Sequence, residues 1–193
     1  IFRVNPRLGY MHMSLAFGWF LLIAVGWIET VAYLGFEWVP LQGHVFFKYF
    51  AALNGLNAHI AIFDFVMDLL LLFVLSGVTL AWYKRRNSAK LGMKRATQHI
   101  FFDKIALTAL WFVFPVRLIA ESITAGIYGG GGFLTGGLGK LLAMTIGSGA
   151  LEWVYEPIWW LYSLALGIFF MAMPFSRYMH IFTEIPLIFL RNY

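Results

Sequence analysis

Four stretches of the chain, residues 10–34, 58–83, 99–123 and 156–173, are apolar almost throughout, with polar residues gathered between them. About 20 apolar residues of helix cross a bilayer, so the pattern predicts four transmembrane helices. Asp64 and Asp68 interrupt the second stretch. The fourth is followed by Pro174 and an aromatic, half-polar segment that can continue past a kink. Between the first two, residues 36–56 carry Trp38, Phe46, Phe47, Tyr49 and Phe50, which suits a short helix lying in the interface. Between the last two, residues 126–149 contain the run Gly129 to Gly132 and then Gly136, Gly137 and Gly139. That composition predicts an irregular or re-entrant loop with a short apolar stretch at 141–146. A fifth crossing over 138–153, re-entrant or full, is the alternative, and a full one would move the C-terminal segment to the other membrane face. No internal repeat is apparent. The expected fold is all-α: a single polytopic membrane domain of four, or at most five, transmembrane helices.

Composition strengthens this reading, because 61% of residues are hydrophobic, 19% aromatic and only 12% charged, against about 25% charged in soluble domains. Such a chain has no room for a sizeable soluble domain. With no cysteine, these residues hold no disulfide, no thiolate-ligated iron–sulfur cluster and no covalently attached c-type haem. Lys84, Arg85, Arg86, Lys90, Lys94 and Arg95 crowd the connection between the second and third stretches, Arg3 and Arg7 precede the first, and Arg177 and Arg191 follow the fourth. By the positive-inside rule those segments, and both termini, are expected to be cytoplasmic. The net charge of +5 follows from this asymmetry and gives no reason to expect nucleic acid.

An even number of crossings brings His12, at the start of the first stretch, and His180, just past the last, to one membrane face. Two imidazoles at one depth are what a bis-histidine b haem needs. Gly9 and Gly18 flank His12 where a porphyrin would approach backbone, and Arg7 and Arg177 are placed to meet its propionates. The competing account is a pair of interfacial histidines, each hydrogen-bonded to a neighbour.

Three segments carry a family resemblance. They are Arg7-Leu8-Gly9-Tyr10-Met11-His12 with Gly18-Trp19-Phe20, Leu75-Ser76-Gly77-Val78-Thr79-Leu80 leading into Lys84-Arg85-Arg86, and Trp159-Trp160-Leu161-Tyr162 followed by Met173-Pro174-Phe175-Ser176-Arg177-Tyr178-Met179-His180. Together they resemble the cytochrome b membrane domain of heterodisulfide-reductase membrane subunits and respiratory nitrate reductase gamma subunits. The resemblance implies haem b and electron relay between a menaquinone-type or ubiquinone-type carrier and a cytoplasmic iron–sulfur protein, in a bacterial or archaeal cytoplasmic membrane. In such proteins the iron–sulfur module is often fused after the segment matching residues 181–191. The expectation is therefore an N-terminal part of a longer chain, or a subunit of a complex carrying that module. A haem-free anchor or assembly subunit of an iron–sulfur oxidoreductase is the alternative. A transporter is disfavoured by the lack of an inverted repeat.

Relatives with two haems carry further histidines where Leu22 and Tyr162 stand here. The resemblance thus implies one haem on the cytoplasmic side, and a second would have to recruit His59 or His44. Glu29, Asp64, Asp68, Arg117 and Glu121 are expected at or outward of mid-membrane, where ionisable groups mark proton paths, quinone sites or ion pairs. Arg117 and Glu121, four apart on one helix face, suit an ion pair. Asp68, nearest the midplane of its crossing, is the first acid to test for a quinone or proton role. Tyr162 could donate to a quinone carbonyl, or belong to an aromatic belt with Trp153, Trp159 and Trp160. His99, beside Asp103 and Lys104, suits capping and interface anchoring.

Overall fold

In a computed structural model the chain is described over residues 6–33, 61–87 and 100–179, together with 183, 187 and 190. The described elements are all helical. They are α1 (Pro6–His12), a π-helical turn (Met13–Phe17), α2 (Gly18–Tyr33), α3 (Ala61–Arg86), α4 (Phe101–Tyr128), α5 (Thr135–Ile146) and α6 (Ser148–Ala172), then short 3-10 turns at Met173–Phe175 and Arg177–Met179. Four of the resulting spans are long and apolar enough to cross a membrane: Pro6–Glu29, Ile62–Arg86, Phe101–Tyr128 and Ser148–Phe175. The chain is an integral membrane protein built as an all-α bundle.

Its polarity is inside out. Phe20, Ile62, Phe65, Phe112, Leu164 and Met171 stand exposed, whereas Ser14, Glu29, Asp68, Asp103, Arg117, Ser122 and Thr124 are buried. In water such an apolar exterior would drive association. In lipid it is the favourable surface, and the polar groups inside find partners in the protein.

The spans alternate in direction. Gly18 packs on Phe73 and Val74 while Gly77 packs on Ser14, so α2 and α3 run antiparallel. The Trp159 indole meets Thr124 near one end of α4, and Phe175 meets Phe102 near the other, with ring centroids 5.1 Å apart. Helices α4 and α6 are thus antiparallel too, and they form the most extensive helix pair. Between the first and last spans, Trp19 lies edge-on to Phe169 at 5.1 Å and tilted against Phe170 at 5.6 Å. The bundle therefore has one end formed by α1, the end of α3, the start of α4 and the turns after α6. That end carries Arg7, Lys84, Arg85, Arg86 and Lys104.

Two boundaries differ from the sequence pattern. The last crossing begins at Ser148, not 156, and carries Pro157 inside the helix. Proline reads as a helix boundary in water, but its freed carbonyl belongs to exposed Trp153 near the helix start and is tolerated in a membrane helix. Half of the glycine-rich stretch 126–149, expected as an irregular or re-entrant loop, is the regular helix α5. At 12 residues, or about 18 Å, α5 is too short for a hydrocarbon core of about 30 Å, so no fifth crossing forms there. Its glycines allow close approach: a Cβ on Gly139 would collide with the Ser122 carbonyl and the Gly126 amide of α4. Gly129 and Gly147, at φ 78° and 86°, end α4 and α5 in a left-handed conformation that glycine adopts without a Cβ penalty. The interfacial helix expected at 36–56 lies outside the described residues.

A side chain at Gly77 would strike Ser14 Oγ, which is itself fully buried. Gly77→Val should therefore lower stability by roughly 1–3 kcal/mol through overpacking, read as an earlier thermal transition of the detergent-purified protein. An unchanged transition would mean that α1 and α3 do not approach as described.

Candidate functional site

Of the predicted haem residues, His12 and Arg7 lie at one end of the bundle. His12 is the last residue of α1, and its imidazole is exposed and makes no hydrogen bond among the described residues. Arg7 is exposed one turn earlier. Gly9 and Gly18 are buried, and Gly18 is occupied in helix packing against Phe73 and Val74 rather than left open for a ring. Directly after His12 the helix widens into a π turn, a feature often found at functional sites. Tyr10, beside it, hydrogen-bonds to Ser76 Oγ at 2.6 Å and sits edge-on to Phe73, tying α1 to α3.

On the other side, the turns after α6 fold back on the bundle. Ser176 is buried, its amide and hydroxyl both donating to the Met173 carbonyl, and Tyr178 packs on Phe169. Burial pushes the Tyr178 hydroxyl up to about 12, helped by nearby Asp103 and opposed by Arg85. It therefore remains a neutral phenol. The backbone of Arg177 belongs to this turn. The Arg177 side chain and His180, like His44, His59 and His99, lie outside the described residues.

The quinone or proton candidates gather elsewhere, in the other half of the bundle. Arg117 Nε donates to Glu121 Oε1 at 2.7 Å, forming the expected i,i+4 ion pair within α4. Tyr162 of α6 is buried in the same half of the bundle, within electrostatic reach of Arg117. Asp68, buried to 1% exposure, is committed to structure. Its Oδ2 accepts from the amides of Leu134 and Thr135 at 2.6 and 3.0 Å, and its Oδ1 accepts from Thr135 Oγ1 at 2.7 Å. This carboxylate caps the N-terminus of α5 from another helix, where the positive end of the helix dipole favours it. It lies seven residues after Ala61, the first described residue of α3.

Trp159 is likewise a core group rather than part of an aromatic belt. It is 1% exposed and donates to Thr124 Oγ1 at 3.0 Å, whereas Trp153 and Trp160 do face outward. Leu22 and Tyr162, the positions at which two-haem relatives carry histidine, are both filled core positions. The contact of Trp19 with Phe169 also gives a scale. His12 lies seven residues from Trp19 toward one end, and Tyr162 seven residues from Phe169 toward the other, a separation of about 20 Å along the bundle.

The sequence showed Asp68 as an acid in hydrocarbon but not its partner, because Thr135 is 67 residues away. Only the glycine-rich segment next to Thr135 hinted that backbone there would approach another helix. Comparison with family models, curated proteins and solved structures finds no match to this chain.

Two outcomes follow. Removing the cap in Asp68→Ala should expose the amides of Leu134 and Thr135 and cost about 1–3 kcal/mol, seen as faster hydrogen exchange confined to the start of α5. Unchanged exchange there would contradict the cap. For the ion pair, Arg117→Leu alone should destabilise by about 3–5 kcal/mol because it strands Glu121 in the interior, whereas Arg117→Leu with Glu121→Leu should cost much less. Thermal unfolding of the two variants compares them directly.

Proposed function

We propose that the chain is a membrane cytochrome b subunit that relays electrons between a membrane quinone and a cytoplasmic iron–sulfur partner, through one b haem held by His12 and His180. The observation that carries this reading is topological. Four alternating spans return Met179, the residue before His180, to the bundle end where His12 presents an imidazole with no hydrogen bond among the described residues. The contact of Trp19 with Phe169 and Phe170 supports it further, since the first and last spans lie side by side. The resemblance of the segments around His12 and His180 to cytochrome b membrane domains points the same way.

The residues at this end suit the group. A neutral imidazole is the usual axial ligand of b haem, and a bound haem supplies one-electron redox chemistry without opening a coordination site. In this reading His12 and His180 would hold the haem iron, and Arg7 and Arg177 would offset the propionate charge. The π turn after His12 sets the face its ring presents. The Arg117, Glu121, Tyr162 and Asp68 cluster, about 20 Å away along the bundle, serves chiefly to lock the opposite half. A quinone exchanging electrons with this haem would bind nearer His12, because transfer rates fall steeply with distance. The basic end bearing Lys84, Arg85 and Arg86 would draw an acidic partner surface.

A reduced-minus-oxidised visible spectrum tests the reading. The purified chain should show a low-spin b signal, with pyridine haemochrome giving close to one haem per chain. His12→Ala and His180→Ala should each abolish the signal, while His59→Ala leaves it. A signal that survives both of the first two substitutions would sink the ligand assignment, and no haem at all would favour the haem-free anchor. Cross-linking in the native complex reads the partner: links from Lys84 should run to a cysteine-rich cytoplasmic subunit or domain.

A further inference from the structure

A groove of about 440 Å³ runs along the outside of the α4–α6 pair, its wall formed by Ala109, Phe112 and Val116 of α4 and Leu164, Ala165 and Ile168 of α6. Its size falls in the range of ligand sites, about 300–1,000 Å³. Ala109 and Ala165 make the recess, since their short side chains leave the space that bulkier residues on either flank enclose. At the end of the groove that bears the basic residues stands Lys104. This ammonium is exposed, carries no ion-pair partner among the described residues and lies one turn inside α4.

We propose that this groove holds an acyl chain of an anionic phospholipid whose phosphate is bound by Lys104 at the start of α4. The dimensions agree. From Lys104 to Val116 the groove covers 12 residues of helix, about 18 Å, close to the depth of one leaflet in a hydrocarbon core of about 30 Å. The chemistry agrees as well: a single cation at headgroup level above an apolar channel matches one phosphate above one chain. Basic pockets between membrane helices on the cytoplasmic side bind anionic headgroups in this way. A quinone tail would fit the channel, but a neutral headgroup gives Lys104 nothing to neutralise. The site is independent of the haem assignment.

The test uses the full chain purified in mild detergent, with dioleoyl phosphatidylglycerol and dioleoyl phosphatidylcholine as probes, read by native mass spectrometry and thermal unfolding. Phosphatidylglycerol should be retained in preference to phosphatidylcholine and should raise the melting temperature more. Lys104→Gln, at an exposed position, should reduce that preference about fivefold, as expected for one basic residue at an anionic surface. Ile168→Trp, also at an exposed position, should fill the channel and lower retention of both lipids. Each variant's haem content is measured alongside, so that failure of this site and failure of the cytochrome reading are seen separately. Equal preference in the wild type and Lys104→Gln, or phosphatidylglycerol retention unaffected by Ile168→Trp, would overturn the proposal. So would a co-purified quinone or a second copy of the chain displaced by Ile168→Trp in the lipid's place.

Discussion

Every backbone amide that a chain carries into hydrocarbon must find its acceptor inside the protein, and the Asp68 carboxylate meets that demand at the start of α5. Helix α5 starts within the bundle wall, so its first amides have no preceding turn to bond and limited access to water. Asp68 reaches them from α3 and takes both the Leu134 and Thr135 amides along with the Thr135 hydroxyl. A Cβ on Gly132 would collide with that same carboxylate, so the glycine before the helix is what lets the cap close. The half of the bundle away from the basic end is thereby joined across α3, α4 and α5, although α3 and α4 themselves meet only sparsely.

The same economy governs the charged groups nearby. Arg117 Nε donates to Glu121 Oε1 along α4, with Tyr162 of α6 buried in the same half of the bundle. Thr124 and Trp159 tie these two helices one turn further on. Polar contacts of this kind do not add much net stability in lipid, where the separated helices find other partners. They do restrict the register in which α4 and α6 can pair, because sliding either helix by a turn would leave buried donors without acceptors.

How much of this could be read in the chain depended on the range of the interaction. The four spans, the basic end and the Arg117–Glu121 pair are set by neighbours within a few residues, and their spacing alone indicated them. The start of α6 was misjudged because Pro157 is a stop signal in water and a tolerated residue in a membrane helix. The cap made by Asp68 and the burial of Trp159 were hidden for a different reason: their partners, Thr135 and Thr124, are distant in sequence and carry no charge to betray them. The glycines of 126–149 pointed to an irregular or re-entrant loop, whereas Gly126 and Gly139 serve close contact between α4 and α5. Of the two proposed haem ligands, only His12 belongs to the described residues.

The π turn at Met13–Phe17 gives the first span an unusual freedom. In a regular α-helix each residue's depth fixes its bearing around the axis, at about 100° per residue, so a group cannot be re-aimed without being raised or lowered. One widened turn inserts an extra residue and breaks that bond between height and heading. Below it, Tyr10 and His12 keep their own orientation toward α3 and the bundle end. Above it, Gly18, Trp19 and Leu22 turn to face the core as if the lower segment belonged to another helix. The first span is therefore two independently aimed surfaces on one rod, and substitutions that repack its upper part need not swing His12.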